Sequence, residues 1–459
     1  MRVAIVAAKY PYDNREAYLD RELRALAPHL SGLAVFPTSP RGRTSGYRDV
    51  PADVYRLGLF TPATIGGALH ALAARPAQSL RAIAALLLAR ERPRVKLKNL
   101  AVIPLGLAVG MRLRRGGFEH VHSYWLSTPA TVAYLAAAVA GIPWSSTAHL
   151  WDIYEENALA LKLSSAQFVR AISARGRRDL LAAAPGTPPS RISVLHVGVD
   201  VPDAPPCATL RQAQGDIGVG AQGDIGVGGV GGTGTGGDDI GVGVSFSVLC
   251  AANLVVKKGH ADLLHAVAAV RERGVDVRCV LAGDGELRGE LEQMIDRLAL
   301  RDAVVTRGHV GHDALLDEIR AGRYDAMALT SLELPGGLME GIPVALMEAM
   351  ALGLPVVTTA TGSITELVDE RCGRVVPQGD IAAIAAALAE LAGDAQLRAK
   401  LAVAAYEKVC AEFDVVAIAR ELAQLIAARV SVTSEQPMGS TRTEETRGPE
   451  TVDAAWGQG

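Results

Sequence analysis

Cysteines come without partners in this sequence. The five present, Cys207, Cys250, Cys279, Cys372 and Cys410, are odd in number and show no paired spacing. That excludes a disulfide framework and a Cys/His zinc module, and it implies a reducing compartment. Several sit in apolar, strand-like contexts such as SVLCAAN, where a small buried hydrophobe is the expected role. An excess of charge of one sign is also missing: 46 Lys+Arg against 49 Asp+Glu leave a net charge of −3, which gives no reason to expect nucleic acid as a partner. No uninterrupted apolar run reaches the roughly 18–20 residues that a spanning helix needs. Met1 to Ala8 reads as a β-strand, with no basic leader, apolar core and cleavage site. The expectation is a protein of the cytoplasm, in solution or at the inner face of the cell membrane.

At 459 residues, 49% of them hydrophobic, the chain exceeds one ordinary core and suits two α/β domains. Short β-branched runs alternate with Ala/Leu-rich helical patterns: RVAIVAA then YLDRELRALAPHL, HVHSYW then ATVAYLAAAVAG, FVRAIS then ARGRRDLLAAA. Such alternation predicts a parallel sheet with helices on both faces. A first domain is expected over 1–200 and a second, restarting at FSVLCAA, over 245–412. Between them, 201–244 is Gly-rich and carries AQGDIGVG twice in tandem, with DIGVG again at 239–243. It has few large side chains to bury and reads as a flexible interdomain linker; a small β-helix would need a third full copy. The polar tail 430–459 reads as disordered.

The segment Leu334 to Ala351, LPGGLMEGIPVALMEAMA, holds two glutamates eight positions apart, Glu340 and Glu348. Gly341 and Pro343 separate Glu340 from the periodic run that follows, and proline suits a first helical turn. Glu340 is thus expected in the loop before a helix and Glu348 in its second turn. The uncapped N–H groups between them, with the helix dipole, form an anion site suited to a diphosphate. The other reading is an amphipathic helix with two surface glutamates.

The segment resembles the E-x7-E signature of retaining glycosyltransferases of family four, and the words around it agree: NLVVKKGHADLLHAV and VLAGDGEL upstream, PVVTTATGSITELV downstream. The resemblance runs from Met1 to about residue 428, and it leans toward the bacterial exopolysaccharide and colanic-acid-type subgroup. It implies an α/β chain of the GT-B fold, two Rossmann-like doubly wound domains facing a central cleft, with a last helix, 413–429, crossing back to the first domain. It implies a retaining hexosyltransferase that takes a UDP- or GDP-sugar and acts on a polysaccharide or lipid-linked oligosaccharide in surface polysaccharide biosynthesis. No cofactor is expected beyond the donor co-substrate and no metal, since no Asp-x-Asp motif stands in a fitting context.

Carried over residue by residue, His149 (in STAHLWDIY), Lys258 and Glu340 are the catalytic candidates. Donor binding falls to Asn253, Lys258, Val310, Glu340, Gly341, Ile342, Pro343, Val344 and Glu348, and acceptor binding to Glu16, His122 and Asp152. Asp152 could instead orient His149. A departing diphosphate needs fixed cations and N–H donors, and Asn253 stands where the family has a phosphate-clamping arginine, so the load shifts to Lys258 and the helix N-terminus. Other departures are Ser363 and Thr365 in GSITE, with Glu366 in its place. Two rivals remain: a catalytically weak or silent nucleotide-sugar binder, and a GT-B-like epimerase or phosphorylase.

From Arg75 to Arg115, ten Arg/Lys face one acid, Glu91, among apolar stretches such as IAALLLA and LAVIPLGLAVGM. This mixture fits an interfacial segment on an anionic membrane, which would suit a lipid-linked acceptor. It equally fits ordinary helices with a solvated basic face.

Overall fold

The computed structural model describes residues 1–12, 16–41, 50–204, 245–337 and 339–434. Most of the expected linker, 205–244, and the tail from 435 onward lie outside the described residues.

Two all-parallel sheets organise the chain. The first has the order β3-β2-β1-β4-β5-β6-β7, from β1 (Arg2–Ala7), β2 (Gly32–Pro37), β3 (Asp53–Val54), β4 (His120–Ser123), β5 (Trp144–Ala148), β6 (Val169–Ala171) and β7 (Ile192–Val194). The second has the order β10-β9-β8-β11-β12-β13, from β8 (Phe246–Ala251), β9 (Val277–Ala282), β10 (Val304–Gly308), β11 (Ala326–Leu329), β12 (Val356–Thr359) and β13 (Arg374–Val376). In each, strand order reverses beside the first strand, at β1/β4 and at β8/β11. Open α/β sheets bind ligands outside the carboxyl ends of their strands at such a switch point.

The period of two along each strand sorts side chains onto opposite faces. In β1, Ala4 and Val6 join Val109, Leu113, Val132 and Ala136 on one face. Val3, Ile5 and Ala7 join Leu19, Leu23 and Leu26 on the other. That second cluster also contains Ile418, Leu422 and Ile426, so the last helix, Val415–Ser434, packs against the first domain. It remains helical to Ser434 and so extends into the stretch from 430 expected to be disordered. In the second sheet, Val248 and Cys250 face one cluster and Leu249 the other. Cys250 and Cys279 are buried free thiols in this core, as their apolar contexts indicated.

The segment 75–115 resolves into helices Pro76–Leu88, Pro93–Ala101 and Ile103–Arg115. Leu105, Leu107, Val109, Met111 and Leu113 are buried, so the stretch LAVIPLGLAVGM after Leu100 is core and has no apolar side to insert. The exposed apolar side chains come earlier: Leu80, Leu87, Leu88, Leu97 and Leu100. Among the described residues no helix is long and apolar enough to cross a membrane.

Candidate functional site

β8 leads into a turn, Val256–Lys258, closed by Gly259 before the helix His260–Glu272. Gly259 has φ +66°, and a Cβ there would lie 1.8 Å from the Thr330 carbonyl oxygen, so only glycine lets the turn sit this close to the end of β11. The turn aims two ammonium groups at one carboxylate. Lys258 Nζ is 2.9 Å from Glu340 Oε2 and Lys257 Nζ is 2.9 Å from Oε1. Glu340 is 7% exposed. Burial alone would raise its pKa, but the two lysines outweigh burial and hold the carboxyl below its ordinary value.

Glu340 precedes the turn Gly341-Ile342-Pro343, and the helix Val344–Ala351 begins at Pro343 with no capping side chain. Its first N–H groups are therefore left for a ligand or solvent, as the sequence order indicated. Glu348 lies in the second turn and is nearly buried. Its Oε1 is 2.5 Å from Arg21 Nη1 of the first domain and 2.8 Å from His312 Nε2. Burial would raise its pKa; the His312 hydrogen bond and the Arg21 charge more than offset that and lower it. Val310, just after β10, and Ile342 and Val344 are partly buried against one apolar cluster. Asn253 is exposed at the carboxyl end of β8.

On the first domain, His149 caps the helix Leu150–Glu155 directly after β5. Its ring stacks on Trp125 at 4.2 Å between centroids and stands 5.6 Å from Tyr18. Among the described residues neither ring nitrogen has a hydrogen-bond partner, although Nδ1 lies 3.7 Å from Asp152 Oδ2. Met339, the neighbour of Glu340, is buried in the same cluster as Leu150 and Ile153, so the Glu340 loop docks beside the helix that His149 opens.

The three acceptor candidates are structural. Asp152 is buried and accepts from the N–H groups of Leu126 (3.0 Å), Ser127 (3.1 Å) and His149 (3.1 Å), which leaves the orienting role. Glu16, also buried, accepts from the N–H groups of Ala8 (3.3 Å), Lys9 (2.6 Å) and Tyr10 (2.5 Å) and from Trp125 Nε1. Its oxygens are occupied in holding the first loop and the indole that stacks on His149. His122 is fully buried in β4, with Nδ1 2.7 Å from Ser145 Oγ and Nε2 2.9 Å from Thr147 Oγ1. Burial, with help from His120 and Arg170, pushes its pKa well down, so it is a neutral core group with no access to an acceptor.

Arg21, His312, Lys257 and Trp125 escaped the sequence reading. Only Lys257 carried a local signal, as the first of two adjacent lysines in a glycine-closed turn. Glu366 also spans the domains: it accepts from the N–H groups of Ala174 (2.6 Å) and Arg175 (3.0 Å) at the start of the helix Ala174–Ala183. Among the described residues no group of three or more His, Cys, Asp or Glu side chains is arranged to hold a metal ion.

Residues 245–408, which contain both lysines and both glutamates, match the family of glycosyl transferases group 1. The match covers the second domain, about a third of the chain. The putative colanic acid biosynthesis glycosyltransferase WcaL of Salmonella typhimurium is 36% identical over 189 residues, 40% of this chain and 45% of that protein. The amylovoran biosynthesis glycosyltransferase AmsK of Erwinia amylovora is 36% identical over 184 residues, 39% and 44% of the two chains. The match thus spans less than half the length of these curated relatives. Among solved structures, Anabaena HepE in complex with UDP superposes with a TM-score of 0.65 over 93% of this chain and 100% of that one, at 19% identity. Sucrose-phosphate synthase from Thermosynechococcus elongatus gives 0.65 over 94% and 100%, at 17%. The two sheets and their linked helices therefore form the GT-B fold of the glycosyltransferases.

Proposed function

We propose that this chain is a retaining hexosyltransferase that moves a hexose from a UDP- or GDP-sugar to a polysaccharide or lipid-linked oligosaccharide of the bacterial surface. The observation that carries the reading is the Lys257/Lys258/Glu340 cluster at the mouth of an uncapped helix. Breaking a sugar–nucleotide bond puts negative charge on the departing diphosphate. Fixed ammonium groups and main-chain amides aimed at that place stabilise it without reorganising during the reaction. Lys257 supplies a second cation where Asn253 leaves none, which argues against the silent-binder reading. Glu340 and Glu348 are placed to accept hydroxyls of the sugar and of the ribose. His149, whose Nδ1 faces Asp152 at 3.7 Å and whose ring nitrogens make no hydrogen bond among the described residues, orients the donor sugar. Transfer with retention needs no dedicated base if the leaving phosphate oxygen takes the acceptor's proton on the same face. The cation role rests on the lysines and amides, so turnover is expected without added metal.

The exposed Leu80, Leu88 and Leu97, among arginines and lysines, support contact of the first domain with an anionic membrane, where a lipid-linked acceptor would be met. Polysaccharide synthesis as the setting rests on the names of the relatives reported above. The test is a panel of nucleotide-sugars read by released nucleoside diphosphate, with and without oligosaccharide acceptor. Acceptor-dependent release supports transfer. An acceptor-free isomerised sugar-nucleotide, or dependence on inorganic phosphate, would replace it with an epimerase or a phosphorylase.

A further inference from the structure

A cavity of about 620 Å³ lies on the first domain between the helix Pro62–Ala74, the helix Ile103–Arg115 and the chain after β3. It is remote from the donor residues. Gly116, on its wall, accepts from Arg2 Nη1 at the start of β1, so the cavity lies toward the amino ends of the strands, whereas the donor residues follow their carboxyl ends.

Its walls combine two chemistries. Arg112 lies over the Tyr55 ring, 5.1 Å from the centroid, and Arg115 Nη2 is 3.0 Å from His70 Nε2. Neither guanidinium has a carboxylate partner among the described residues, unlike Arg2 nearby, which pairs with Asp53 at 3.7 Å. Basic residues in a last helical turn complement the helix dipole, but that role does not require a cavity. The remaining wall is apolar or bare: Phe118 closes one side, and at Gly66 an added Cβ would meet nothing within 4 Å. Phe60 and Leu69, on and just before the helix Pro62–Ala74, are 65% and 62% exposed. The space exceeds what one phosphate fills, which calls for an anion carried on a larger body.

We propose that this cavity binds a phosphate ester, its phosphate held by Arg112 and Arg115 and its body lying along Tyr55, Phe118 and Gly66. A membrane phospholipid headgroup and a soluble phosphate ester share this chemistry; the first case would build on the membrane contact proposed above. Planar guanidiniums bind phosphate bidentately, and two of them with no carboxylate neutralising either form a strong phosphate-binding element.

Three measurements test it: titration with glycerol phosphate, and sedimentation with vesicles of phosphatidylcholine alone or in equimolar mixture with phosphatidylglycerol. Gly66→Leu fills the cavity without changing charge, and its thermal midpoint reports whether the helix is intact. The expected result is that Arg112→Gln/Arg115→Gln abolishes glycerol phosphate binding. Gly66→Leu weakens phosphatidylglycerol binding about tenfold and leaves nucleoside diphosphate release in solution unchanged. Glycerol phosphate binding that responds to both variants, with no preference for phosphatidylglycerol, identifies a soluble ester and removes the membrane reading alone. Vesicle and glycerol phosphate binding that match wild type in both variants overturn the site, whatever becomes of the membrane reading.

Discussion

Arg21 of the first domain lies 2.5 Å from Glu348 of the second, and the same guanidinium is 2.8 Å from His312 Nε2. The carboxylate proposed to take the ribose is thus occupied by a cation from across the cleft. Glu340, occupied by Lys257 and Lys258, is in the same condition. Carboxylates neutralised in this way stay ionised while largely buried, and a donor bound as proposed must exchange for these contacts.

Removing the competitor should therefore help nucleotide binding. Arg21→Ala is expected to tighten UDP or GDP binding roughly fivefold by calorimetry, corresponding to about 1 kcal/mol for a partly screened ion pair. Weaker binding would make Arg21 a donor contact.

The two lysines should separate in kinetics. Lys258→Ala is expected to lower kcat by about 10²–10³-fold, as for loss of one fixed donor to a developing anion. Lys257→Ala should lower it less, and the double variant should resemble the silent binder that Asn253 raised as a rival. Equal nucleotide affinity in calorimetry alongside lost turnover would mark the effect as one on the leaving group.

His312 sets a pH dependence. Its hydrogen bond to Glu348 raises its pKa above the ordinary 6.5, against burial and the Arg21 charge. A raised folded-state value means the stability it contributes is complete below pH 6.5 and is lost as pH rises through the raised value. The thermal midpoint should fall over that interval, and His312→Gln should flatten this part of the profile. With the imidazole half exposed, the effect will be small.

His122 provides a control. Replacing it with Gln should lower the thermal midpoint, because Ser145 and Thr147 lose buried partners at about 1–3 kcal/mol, while the acceptor KM stays unchanged. Trp125→Leu should differ by lowering kcat through His149, in addition to the stability lost when the buried Glu16 loses the indole donor.

What was legible in the sequence was what is contiguous. Glu340, Gly341, Pro343 and the apolar period after them occur in one stretch, and the helix with its bare N-terminus follows from that order. Lys258 and Gly259 were legible for the same reason. Arg21 and His312 were not, because they are separated by 291 positions and meet only once two domains close on each other. His122 was misread because it was carried over from a histidine position of the family that the chain resembles. The opposing signal was present: His120 and His122 in β4, and Ser145 and Thr147 in β5, each two apart, are the pattern of a polar ladder inside a sheet. Glu16 and Asp152 look free in sequence because the N–H groups that fill them belong to loops whose paths sequence does not reveal.

The most direct test is a crystal structure with an unhydrolysed UDP- or GDP-sugar bound. The account predicts the diphosphate at the N-terminus of the helix Val344–Ala351 in contact with Lys258, the sugar against Glu340, and the ribose at Glu348 in place of Arg21. A diphosphate bound elsewhere, with the Lys258–Glu340 pair intact, would contradict it.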